Sequence, residues 1–142
     1  TYANGEADYA VNFAQLTQRA GNFLVGREPE PDFQWENLKG KKVLGGRAGG
    51  MPQMVFEYIL KKNGIDPKTD LSIDQSINFG LTAAAFTSND ADYTVEFEPF
   101  ATGLEMDGSG YVVASLGTES GYVPYTAYCA KKSYMEKNPE II

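Results

Sequence analysis

The sequence predicts an α/β fold: a mainly parallel sheet with helices on both faces. Three observations predict it. From Lys41 onward, short apolar runs alternate with stretches of helical period; right-handed crossovers between parallel strands produce that order. The segment after KVLGG places Met51, Met54, Val55, Tyr58 and Ile59 on one helical face. DYTVEF at 92–97 alternates, with Tyr93, Val95 and Phe97 to one side and Glu96 to the other.

Taken in order, YAVNFAQLT at 9–17 and FLVGR at 23–27 read as strands, and EPEPDF at 28–33 as a loop rich in prolines and acids. KVLGG is a short buried strand ending in glycines. In the helix that follows, Pro52 suits the first turn and Glu57 with Lys61 forms an i,i+4 pair. Asn63-Gly64 and Pro67 end it. LSIDQSI at 71–77 is the next strand and FGLTAAAFT at 79–87 a short helix. Glu98-Pro99 opens another helix that runs to about Gly108. YVVASL at 111–116 and PYTAYCA at 124–130 are strands, and KKSYMEKNPEII begins a last helix. The strands before the repeating unit and the abrupt final helix read as part of something larger.

Composition closes several functional classes. The chain has 142 residues and a net charge of −7, which disfavours nucleic acid or an anionic membrane surface as partner. It has no histidine, so Ser–His and Cys–His nucleophiles and His-ligated metals are excluded. A single cysteine, Cys129, forbids an internal disulfide or a zinc cluster. Between Tyr128 and Ala130 it reads as a buried strand thiol. No apolar run approaches the roughly 18 residues of a membrane span, and a leader, if the parent is exported, is absent from this stretch. No cofactor, metal or catalytic residue is expected.

Open α/β sheets bind ligands beyond the carboxyl ends of their strands. Three predicted strand ends carry unusual residues, Gly45 to Met51, Gln75 to Asn78 and Glu96 to Pro99, and should converge on one rim. In GGRAGGMPQM the glycines let a ligand approach the backbone. The N–H groups of Gly49, Gly50 and Met51 open a helix, and Arg47 adds a forked cationic contact, together a cradle for an anion. The alternative is a plain strand-to-helix turn with Arg47 on the surface. A nucleotide loop is excluded, because Met51-Pro52 stand where Lys-Ser/Thr belongs and there is no G-x-G-x-x-G. Glu96 and Glu98 can accept hydrogen bonds from an amino or cationic ligand group, although Glu98 also suits a cap on the helix after Pro99. Nothing else accompanies them to suggest glycoside hydrolysis. Asn78, Gln15 and Thr17 are neutral hydrogen-bonding candidates at element ends.

The stretches NFAQLTQRAGNFLVGRE, FQWENLKGKKVLGGRAGGMPQMVFEYILKKNGIDP, AAAFTSNDADYTVEFEPFA and GYVVASLGTESGYVPYTAYCAKKSYMEKNPEII together resemble the solute-binding proteins of ABC importers. Within these the likeness is to the nitrate/sulfonate/taurine and thiamine-pyrimidine-like group, and it covers nearly the whole chain. It implies a three-layer lobe of the type II periplasmic-binding-protein fold. Residues 1–142 would form a single middle lobe, with 1–27 as crossover strands leading into it. The resemblance further implies an extracytoplasmic protein that closes two lobes on a small organic anion or heterocycle and delivers it to a permease and ATPase. Arg47 to Met51 and Glu96 to Pro99 would then face the cleft. The loop GGRAGGMP departs from the Gly-Ser/Thr loops of sulfonate binders, which leaves the ligand open. An enzyme on the same two-lobed fold, of the menaquinone-pathway dehydratase or lyase type, is the alternative, with Glu96 as its acid or base. A standalone sensor or interaction domain is a third reading. An isolated lobe, with bare strand edges, should tend to self-associate.

Overall fold

Strand order follows from which apolar runs can be covered on two faces. The computed structural model describes residues 2–78 and 80–142, and its contacts divide the chain into two units, Ala20–Gly121 and Thr1–Arg19 with Tyr122–Ile142.

The first unit holds a five-stranded sheet built from β2 (Asn22–Gly26), β3 (Lys42–Leu44), β4 (Ser72–Asp74), β5 (Tyr93–Phe97) and β6 (Tyr111–Ser115), in the order β4-β3-β5-β2-β6. β3 runs parallel to β4 and β5, and β2 runs antiparallel to both β5 and β6. Four of the five strands therefore point one way, as expected. The short FLVGR run supplies the reversed strand, between β5 and β6.

Alternation along the strands sorts the core into two layers. Val25, Leu44 and Thr94 share one face, in register, and Val25 and Leu44 cluster with Phe86, Ala91, Ala101 and Leu104. These last residues come from or adjoin α2 (Thr82–Ser88) and α3 (Phe100–Met106). The opposite face carries the fully buried Leu24 and Val43. The remaining helices, α1 (Met51–Lys62) and α4 (Leu116–Ser120), pack on each other, and α4 also packs on β2 and β6.

Four expectations are corrected. α1 buries Val55, Phe56, Ile59 and Leu60, whereas Met54 and Tyr58 are 54% and 51% exposed. The buried stripe is turned by one position, toward Phe56 and Leu60, which bring large side chains with no polar atom. The strand read at 71–77 contracts to β4, because the carboxylate of Asp74 accepts the Ser76 hydroxyl (2.7 Å) and N–H (2.9 Å) and turns the chain. The run at 111–116 ends in α4, whose start is capped by the Ser115 hydroxyl accepting from Thr118 N–H. The helix expected at 79–87 begins at Phe79, outside the described residues, and is seen from Thr82.

The second unit pairs β1 (Ala10–Thr17) antiparallel with β7 (Thr126–Lys131), followed by α5 (Lys132–Lys137). Asp8 caps α5 by accepting from the Ser133 N–H and hydroxyl, and these bonds hold its carboxyl below the usual range. Phe13 and Tyr128 stack across the ribbon at 6.2 Å. Cys129 is exposed here, not buried. Its strand has one partner, β1, and nearly every residue of the pair faces outward.

Candidate functional site

The parallel trio β4-β3-β5 ends at one rim, and its three loops meet there. The loop after β3 leaves the sheet at Gly45, whose N–H bonds the Asp74 carbonyl. A Cβ at this position would run into the Ile73 methyl. Gln75 ties the second loop to the first by donating to the Gly45 carbonyl at 2.9 Å. Gly46 and Gly49 take positive φ of 51° and 72°, the left-handed region in which glycine avoids a Cβ clash.

A narrow pocket lies among these loops, lined by Gly46 and Arg47 after β3, by Ile77, Gly80 and Thr82 after β4, and by Val95, Glu96, Phe97 and Phe100 from β5 onward. The expected rim thus exists, and Arg47 and Glu96 share it. Arg47 is exposed, and none of the salt bridges among the described residues includes it. Glu96 is 3% exposed. It lies on the Thr94 face of β5, where the Thr94 hydroxyl donates to Oε1 at 2.6 Å and the Thr82 hydroxyl to Oε2 at 3.0 Å. Burial pushes the Glu96 carboxyl up, and the two hydroxyl bonds oppose that rise. Such a group is a strong acceptor on the wall of the pocket, bonded to neutral hydroxyls, with the Arg47 cation on the same lining.

The other residues singled out by sequence fall elsewhere. Gly49 donates its N–H to Gln53 Oε1 in the first turn of α1 at 2.7 Å and Gly50 to the Arg47 carbonyl at 3.2 Å, so both backbone donors already have partners. Met51 is the half-buried first residue of α1. Glu98 is exposed and accepts the Thr102 N–H at 3.1 Å, the capping contact that its position before Pro99 allows. Asn78 is exposed, and its carbonyl accepts from Leu81 N–H. Gln15 and Thr17 lie on β1 of the other unit. Gln15 donates to the Thr17 carbonyl at 3.1 Å, and the Thr17 hydroxyl pairs with that of Thr126 at 2.6 Å.

Sequence reasoning missed the two threonines that hold Glu96. Thr94 was findable, since two residues back along an alternating strand is the same face; Thr82 comes from a helix and left no such mark. It also missed Asn22, which is fully buried at the start of β2, opposite Phe97. Neither polar atom of its amide has a hydrogen-bond partner.

Comparison with known proteins agrees with this architecture. The model of the NMT1-like family matches residues 12–142. The chain belongs to the NMT1-like family. A Bacillus subtilis relative in curated collections, YtlA, named as a candidate binding protein, is 52% identical over 138 residues, 97% of this chain and 41% of its own length. Two solved structures share the fold. The alkanesulfonate-binding protein SsuA of Xanthomonas axonopodis pv. citri, bound to MOPS, has a TM-score of 0.77 at 18% identity, over 96% of this chain and 46% of that one. The periplasmic aliphatic sulphonate binding protein SsuA of Escherichia coli has a TM-score of 0.76 at 19% identity, over 99% and 47%. The desulfurization enzyme DszB is a looser match, with a TM-score of 0.54 at 13% identity over 93% and 52%. This NMT1-like chain thus spans about 41% of YtlA and under half of the sulfonate-binding structures.

Proposed function

We propose that this NMT1-like chain is one lobe of the substrate-binding component of an ABC importer. It supplies half of an interlobe cleft for a small organic anion or heterocycle, such as a sulfonate, nitrate or a pyrimidine precursor. The ligand is bound without being transformed and is passed to a membrane permease and its ATPase, on the outer side of the membrane. The observation that carries this reading is the rim pocket, where loops from three parallel strands bring Arg47 and Glu96 together in a chain of this family. Its free volume, about 10 Å³, holds no more than one water-sized group. The rest of a ligand would therefore lie over the rim and need a second surface to enclose it. Closure of two lobes on such a ligand would shift the population to the closed state.

Calorimetry with nitrate, alkanesulfonates and aminopyrimidines tests the reading, on the full-length protein and on residues 1–142 alone. Binding by the full-length protein and little by the single chain is the expected result. Equal affinity in both would overturn it. The bare edges of β4 and β6, with Leu16 58% and Tyr128 52% exposed on the ribbon, support self-association of the isolated chain. Light scattering that finds a strict monomer at high concentration would contradict that.

A catalytic reading is favoured by one observation, the buried Glu96 with its raised pKa, in a fold shared loosely with an enzyme. Turnover that disappears in Glu96→Gln while ligand is still bound would establish it.

A further inference from the structure

Strand period puts Glu96 on the Thr94 face of β5, and the packing there leaves it 3% exposed. Its two oxygens accept from the neutral hydroxyls of Thr94 and Thr82. Among the described residues, Arg47 is the one charged side chain that shares the pocket lining with it. No salt bridge joins the two, and Arg47 is exposed. The charged groups of the surrounding elements are engaged elsewhere. α2 contributes Thr82 and carries no charge. Glu98 caps α3 at the Thr102 N–H, and Glu105 accepts from the Val112 N–H. The register partner of Glu96 on β2 is Phe23, and the Arg27 that follows β2 is bonded to backbone carbonyls. On β3 and β4, Lys42 pairs with Asp90, and Asp74 accepts from Ser76. Burial is thus opposed at Glu96 by the two hydroxyl bonds, and it prevails: the carboxyl is pushed above its ordinary range.

An anion seated over this rim acts on that balance in two ways. It covers the mouth of the pocket and dries Glu96 further, and it sets a second negative charge beside the same guanidinium. Both disfavour the carboxylate. A sulfonate or nitrate is too weak a base to hold a proton at neutral pH, whereas a carboxylate is not. The proton therefore goes to Glu96. Gaining it turns the group from an acceptor into an O–H donor on the pocket wall, the polarity that an anionic oxygen needs. The Thr82 and Thr94 hydroxyls accept as well as donate, so they can stay bonded through the change and keep the carboxyl in place.

Resting on the reading of this rim as a binding site for an anion, we propose that binding takes up one proton from solvent, held on the Glu96 carboxyl, which then donates to the ligand. The proton adds to a carboxylate oxygen, and no other bond forms or breaks. Glu96 titrates higher under the ligand than without it. Between those two values the complex holds the extra proton, so affinity falls as pH rises through that window. Below it and above it, affinity is flat with pH.

Calorimetry on the full-length protein decides this, with nitrate and ethanesulfonate as probes over about pH 5 to 8. Each pH is measured in two buffers of different ionisation enthalpy, so that protons taken up are counted directly. Wild type should take up more than about half a proton within this range and lose affinity there by up to about tenfold per pH unit. Glu96→Gln, shown to be folded by circular dichroism, should take up none and bind with an affinity flat in pH. Its neutral amide donor stands in for the protonated acid, so it should bind more tightly than wild type at the alkaline end. A wild type whose binding ignores both pH and buffer would overturn the proposal and leave the binding reading standing; that arm needs no variant. Proton uptake that persists in Glu96→Gln would overturn it as well. So would binding of aminopyrimidines with neither anion bound. If no probe binds at any pH, the binding reading itself falls, and the proposal with it.

Discussion

The two ends of the five-stranded sheet each carry an arginine and a glutamate, and they employ them in opposite ways. At the amino end of β5, the half-buried Arg27 donates from Nε to the Ala91 carbonyl at 2.9 Å. Its Nη2 donates to the carbonyls of Phe86 (2.6 Å) and Asn89 (2.8 Å). Its guanidinium also lies 3.9 Å from the centre of the Phe86 ring. Glu30 there accepts from the Tyr93 hydroxyl at 2.7 Å and from Asn37 at 3.2 Å. At the carboxyl end, Arg47 is exposed outside every salt bridge of the described residues, and Glu96 is buried with neutral partners only. The residue types match, both pairs line pockets, and each glutamate accepts two side-chain hydrogen bonds. The arginines differ, Arg27 being tied to three backbone carbonyls and Arg47 being exposed. Satisfied hydrogen bonds, more than residue type, separate the structural arginine from the one available to a ligand.

The largest effect should come from the structural end. Arg27→Leu removes donors from three carbonyls and the stacking on Phe86, and should lower the unfolding free energy by about 2–4 kcal/mol in urea titration. Ligand affinity of the remaining folded protein should be unaltered. At the other end, Arg47→Ala should change stability by no more than about 0.5 kcal/mol but weaken ligand binding about tenfold or more in calorimetry. A large loss of stability in Arg47→Ala would erase the distinction between the two ends.

The outlines of this arrangement were legible in the sequence, for reasons that differ by residue. α1 could be bounded because Pro52, Asn63 and Gly64 act locally, through φ preferences and the missing proline N–H. Strand period put Glu96 on the face opposite Tyr93, Val95 and Phe97. That this second face is also buried was not legible, because it depends on α2 and α3 covering it. Nor was the antiparallel course of β2, since a five-residue apolar run carries no direction. Nor was the partner of the Gly49 N–H, which depends on Gln53 folding back from the first turn of α1. Arg27 looked like the end of a strand, because its carbonyl partners lie 59 to 64 residues away and long-range pairing leaves no local pattern.

Two smaller effects sharpen the comparison. The Asn22 amide sits at the carboxyl end of β5 with no partner for either polar atom. Asn22→Leu, close in volume, should therefore raise the unfolding free energy by about 1 kcal/mol. A loss of similar size in the same urea titration would mean that the amide is engaged. Glu96 gives the smallest effect and a pH signature. Its folded pKa lies above the unfolded value, so between the two the native state holds more protons, and stability falls as pH rises through that window. Glu96→Gln should melt at a higher temperature than wild type at neutral pH, and the gap should close as pH drops below the ordinary glutamate range. A gap that is constant with pH would mean that burial does not disfavour the carboxylate.

The rim site is tested most directly by a crystal structure of the full-length protein with whichever of the calorimetric probes binds. The bound molecule should lie over the rim pocket, in contact with Arg47 and with the loops after β3, β4 and β5. A ligand bound away from this rim would contradict the assignment.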